Sequence, residues 1–152
     1  MLKLTKAQVA TEFFLYAGVF LLIVILTFGL VSFMQESEIQ FRESIVAKEV
    51  GETFSDAISL AIRSGQGFRY NMTFKKTLLS RNYEVIFDDA NGRIFFNWMG
   101  TYGEISNLYY IPSYDFRYLS CMSPEKKLKS DDCKNTLSLY NNGSTLFVEQ
   151  PA

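Results

Sequence analysis

Glu12 is a lone carboxylate in the otherwise apolar stretch Val9 to Leu15. A charge at the centre of a membrane helix costs about 2.5–3.5 kcal/mol on insertion scales, and less near the interface. Glu12 therefore either sits at headgroup level or waits for a positive partner. Cys121 and Cys133 are the only cysteines; they either close a disulfide or remain two free thiols. Asn71-Met72-Thr73 and Asn142-Gly143-Ser144 match the acceptor pattern for N-glycosylation. Asn142 is the better candidate, in an expected exposed turn, whereas Asn71 falls in an expected strand. Asp88-Asp89 and Asp131-Asp132 lack the alternating spacing of a known calcium loop and read as turns.

Several kinds of chemistry have no residues to carry them. The chain has 152 residues and no histidine, which removes the commonest general base and metal ligand. No glycine-rich phosphate loop, zinc pattern or nucleophile elbow is present. A net charge of −1 argues against a nucleic-acid binder that works through a large basic surface. The expectation is a protein that is not an enzyme, holds no metal or cofactor and binds no nucleic acid.

The elements that position these residues start with a membrane segment. Phe13 to Met34 contains no charged residue. At about 1.5 Å per residue it makes a helix of about 33 Å, enough for a hydrocarbon core of about 30 Å. Lys3 and Lys6 precede it, while Glu36, Glu38, Arg42 and Glu43 follow it. The positive-inside rule thus puts residues 1–7 in the cytoplasm and the bulk outside the cell. The apolar run is too long for an ordinary secretory signal peptide, and Ser32-Phe33-Met34-Gln35-Glu36 offers no small-x-small cleavage site. Outside the cell the two cysteines meet oxidising conditions, which favours their bonding.

Lys6-Ala7-Gln8-Val9-Ala10-Thr11-Glu12-Phe13-Phe14 resembles the class III signal peptide of archaeal type IV pilin-like proteins. The resemblance is strong over roughly the first 34 residues and covers the rest only in layout. It implies a prepilin peptidase, an aspartyl protease within the membrane, cutting between Ala7 and Gln8. Lys6 is then the basic residue before the small residue Ala7, and Glu12 the acid at the fifth position of the mature chain. The family often has glycine where this chain has Ala7. The cut frees an α-amino group at Gln8, unless that glutamine cyclises. In a filament this ammonium can lie beside Glu12 of a neighbouring subunit. An ion pair in an apolar core penalises by about 3–5 kcal/mol any register that leaves one charge alone. The pair would therefore set register more than raw stability.

Nothing from Val9 to Arg63 obliges a helix to stop, and the first proline is Pro112. Val46, Val50, Phe54, Ala57, Ile58 and Ala61 recur at three and four, the stripe of an amphipathic helix. Lys48, Glu49, Glu52, Asp56 and Arg63 take the opposite face, and Ser64-Gly65-Gln66-Gly67 supplies the stop. Beyond Gly67 the period becomes two. Tyr70, Met72 and Phe74 alternate with polar residues, as do Tyr83, Val85 and Phe87. Asp88 to Gly92 is a turn, and Arg93 to Met99 a returning strand. Ile105 to Ile111 is a further strand. Leu137 to Tyr140 and Thr145 to Val148 flank Asn141-Asn142-Gly143-Ser144, a hairpin signal. Lys126, Lys127 and Lys129 fall in the loop between the cysteines, as a solvated face or a contact for an anionic surface. Tyr109, Tyr110, Tyr114, Phe116 and Tyr118 are either core or a surface for neighbours and adhesion.

The expected fold is α+β, a long N-terminal helix packed on an antiparallel sheet. The expected divisions are a leader at 1–7, a membrane or filament-core helix at 8–34, an amphipathic extension at 35–66 and an extracellular β-rich domain at 67–152. The expected function is a type IV pilin-like structural subunit, minor or accessory, of a cell-surface filament for attachment or assembly. Its partners are then the membrane, the prepilin peptidase and other pilin subunits. The alternative is a single-pass anchored accessory protein with an extracellular binding domain that never polymerises.

Overall fold

The computed structural model describes residues 2–122 and 125–152, with side chains from residue 9 onward. The chain forms two compact units, Met1–Ile39 and Gln40–Ala152. One helix, α1, runs Leu2–Arg63 and supplies all of the first unit described and the start of the second. The protein is α+β.

Among the described residues the second unit adds eight strands: β1 Arg69–Thr73, β2 Tyr83–Asp88, β3 Arg93–Met99, β4 Glu104–Tyr110, β5 Asp115–Ser120, β6 Lys127–Lys129, β7 Thr136–Asn141 and β8 Thr145–Gln150. They form two four-stranded sheets, ordered β1-β7-β8-β5 and β4-β3-β2-β6, where one sheet is expected from the sequence. The second sheet is antiparallel throughout. In the first, β5 lies parallel to β8 while the other pairs are antiparallel.

The residues explain most of this. Tyr83, Val85 and Phe87 are buried, and their neighbours in β2 are half-buried. Ile94, Phe96 and Trp98 do the same in β3, opposite Phe87, Val85 and Tyr83. The turn between these strands is a short 3-10 helix at Asp89–Asn91, closed by Gly92 in the left-handed region. The 142–144 turn joins β7 to β8, with Asn142 N–H donating to Thr145 O at 3.2 Å.

The helix stripe packs as its spacing predicts. Phe54, Ala57, Ile58 and Ala61 are buried, Val46 and Val50 pack beside them, and Ala47 joins the core. Phe54 touches the rings of Phe74 and Tyr83, with centroids 5.5 and 6.4 Å apart. Two contacts fix the helix more specifically. A Cβ at Gly51 would overlap the Tyr109 ring, so β4 approaches the helix there as only glycine permits. Asn141 is fully buried and donates to Ala61 O at 3.0 Å, while its Oδ1 accepts from the Tyr114 hydroxyl at 2.9 Å. That amide satisfies a carbonyl left over in the last turn of the helix.

Two further expectations change. The segment between the cysteines, expected as a loop, holds Lys127–Lys129, which pairs with β2 as an edge strand and buries Leu128 fully. Its lysines stay solvated, with Lys126 paired to Asp89 at 2.8 Å and Lys129 lying 3.6 Å from Asp132. Tyr70 stays 38% exposed although it shares a face of β1 with buried Met72, because it lies at the margin of the core, beside Leu60 and Arg63 near the end of the helix.

Candidate functional site

Each unit offers a distinct surface. In the first, every described residue of the helix from Val9 to Ile39 is exposed. The helix contains a window of mean hydropathy 2.7 of which 0% is buried. By length and composition it can cross a membrane. Thr27 does not interrupt the apolar surface, because its hydroxyl donates back to Ile23 O at 2.8 Å. A Cβ at Gly18 or Gly29 would meet nothing within 4 Å, so neither glycine is required by the isolated helix. Both leave shallow places where another helix can come close.

Glu12 lies on the exposed surface of this helix, just ahead of Phe13 and Phe14. The side chains of Lys6, Ala7 and Gln8, the expected cleavage site, lie outside the described residues.

The second unit carries its own polar constellation at the point where the helix enters it. Glu43 is 95% buried. Its carboxylate accepts from the Thr101 backbone N–H at 3.0 and 2.9 Å, and from the Thr101 hydroxyl. A Cβ at Gly100 would come within 2.8 Å of Glu43 Oε2, so the β3–β4 turn closes tightly around the carboxylate. Charge-assisted bonds of this kind are stronger than neutral ones. Gln40, Ser44, Tyr102 and Ile105 line the groove beside it. Sequence reasoning reads Glu43 only as a flanking charge. Nothing local in Glu43 or in Thr101 signals that they meet, since they are far apart along the chain.

The remaining expected residues are distributed over the domain and do not converge. Cys121 and Cys133 form a disulfide with Cα atoms 6.7 Å apart. It closes the segment that holds β6 and ties it near β8, where Cys121 N–H donates to Gln150 O at 3.3 Å. Asn142 is half-buried, and its Oδ1 accepts from Ser144 N, Ser144 Oγ and Thr145 N at 3.1, 3.2 and 2.8 Å. Asn71 is instead exposed in the edge strand β1. Both acceptor patterns therefore stand at the surface, with Asn71 the more open.

The paired aspartates have neighbours of their own. Asp88 accepts from Asn91 at 2.8 Å and Asp131 from Asn82 at 2.7 Å, while Asp89 and Asp132 face lysines. Of the aromatic group, Phe116 is buried, Tyr109, Tyr114 and Tyr118 pack half-buried against the core, and Tyr110 is exposed. Burial raises the Tyr109 phenol pKa, with the Glu52 charge adding to it against a hydrogen bond from Asn107. The Tyr118 phenol is also pushed up, by burial and then by Asp89 and Asp88.

On the outer face of the first sheet, Arg69 sits 4.8 Å over the Tyr140 ring, which stacks on Phe147 with centroids 5.9 Å apart. No family model, no characterised protein and no solved structure matches this chain.

Proposed function

We propose that the chain is the precursor of a type IV pilin-like subunit of a cell-surface filament. The observation that carries the reading is the apolar first half of the helix, exposed at every residue from Val9 to Met34 and headed by Glu12, joined to a folded α+β domain. Such a surface needs a non-aqueous partner, first the bilayer and then the helices of other subunits. In this reading residues 1–7 are a cytoplasmic leader, the domain lies outside the cell, and a prepilin peptidase cuts between Ala7 and Gln8. Glu12 then pairs with the freed amino group of a neighbouring subunit and fixes the stagger between helices. The role is structural rather than enzymatic.

Intact mass and N-terminal sequence of the protein taken from its native membrane test this. The proposal expects a chain beginning at Gln8, open or cyclised. A chain that keeps residues 1–7 contradicts it and makes a non-polymerising membrane anchor the better account.

A further inference from the structure

We infer that, before assembly, the β3–β4 turn docks the domain on the lipid headgroup layer through Tyr102 and Met99. This rests on the reading that Phe13 to Met34 spans a membrane.

The second unit begins at Gln40. From Met34 to Gln40 the chain covers about 9 Å as helix, and no more than about 20 Å even if fully extended. The headgroup region adds about 5–8 Å beyond the hydrocarbon on each side. The Gln40 end of the domain is therefore tethered at the membrane surface, whatever angle the two units adopt.

What the domain presents at that end is unusual for a surface in water. Tyr102 is 50% exposed and lines the same groove as Gln40 and Ser44. Met99, at the start of the same turn, is 56% exposed, and Phe41, next to Gln40, is 65% exposed. Tyrosine concentrates at membrane interfaces because its ring is apolar and its hydroxyl is wet. The turn is also held still. The Glu43 carboxylate grips Thr101, the residue before Tyr102, and the Arg81 guanidinium donates to Met99 O at 3.0 Å. A fixed turn loses little conformational freedom on docking. Glu36, Glu38 and Glu104 outnumber Arg42 and Arg81 around these residues, so the surface suits a zwitterionic layer better than an anionic one.

The test uses the full chain in zwitterionic phospholipid nanodiscs carrying a nitroxide quencher, either on the headgroup or deep on the acyl chain. Three single variants add a reporter to the native Trp98: Tyr102→Trp, Tyr110→Trp at the far end of β4, and Leu22→Trp in the span. The inference expects Leu22→Trp to be quenched from the acyl chain. It also expects Tyr102→Trp to be quenched from the headgroup several-fold more than Tyr110→Trp. Quenching of Leu22→Trp with equal headgroup quenching at Tyr102→Trp and Tyr110→Trp overturns the docking and leaves the span intact. Absence of quenching at Leu22→Trp overturns the span itself, and the docking with it.

Discussion

The same helix handles apolar residues in two different ways. From Val9 to Met34 they surround it, and none is covered by the chain's own fold. From Val46 to Ala61 most of them form one stripe, pressed onto the β-strands, while charged residues and Leu60 face water. The first arrangement is stable only in an environment that the chain does not supply. The second is complete within the domain. A change in the stripe should therefore be read in folding, and a change in the uncovered segment in location.

Phe54→Ala breaks the second region and spares the first. Phe54 is 1% exposed and sits between Phe74 and Tyr83, so its loss leaves a cavity costing about 3–5 kcal/mol. Thermal unfolding of the detergent-solubilised chain should show a lower Tm, with membrane partition unchanged in cells that still hold folded protein. Leu22→Arg does the reverse. A charge near the middle of the span costs about 2.5–3.5 kcal/mol on insertion scales. Carbonate extraction should release the variant from membranes, while circular dichroism of its domain matches the parent.

The disulfide sharpens the contrast from inside the domain. Replacing Cys121 and Cys133 together by serine should cost about 2–3 kcal/mol in denaturant unfolding, with no effect on membrane retention. Loss of protection should begin in β6, which pairs with β2 alone and spans only Lys127–Lys129. Hydrogen exchange resolved by segment checks that order.

The smallest effect is alkaline. Tyr83, Tyr109 and Tyr118 are held above the usual phenol value of 10.0, chiefly by burial in each case. A pKa raised by folding means that the stabilisation is fully present below about pH 10 and is lost as pH rises through the raised values. Tyr83 also gives up a donated bond to Lys75 O, 2.7 Å long, when it ionises. Tyrosinate absorbance from these three should therefore rise together with unfolding, in a second stage of the alkaline titration. The helix signal of the membrane segment should persist through the second stage.

Much of this architecture is legible in the residues. The stripe from Val46 to Ala61, the alternation in β2 and the turns before β3 and β8 are local patterns, and local patterns survive folding. Strand β5 is less visible. Phe116 and Tyr118 alternate properly, but the strand pairs in parallel with β8, a partner distant in sequence. Strand β6 has a single inward side chain, Leu128, too little to show a period. The Glu43 clamp and the seat of Tyr109 over Gly51 depend on contacts between distant segments, and no spacing rule reports those. Glu12 is the opposite case: its surroundings alone single it out, because a carboxylate ahead of an unbroken apolar run demands a reason.

As proposed, the uncovered helix packs against other subunits in a filament. The direct measurement compares the parent and Glu12→Gln in the sheared surface-filament fraction of cells that express equal amounts in the membrane. The expected result is the parent in the filaments and the variant retained in the membrane. Equal recovery of both in filaments, or a parent that never leaves the membrane, contradicts it.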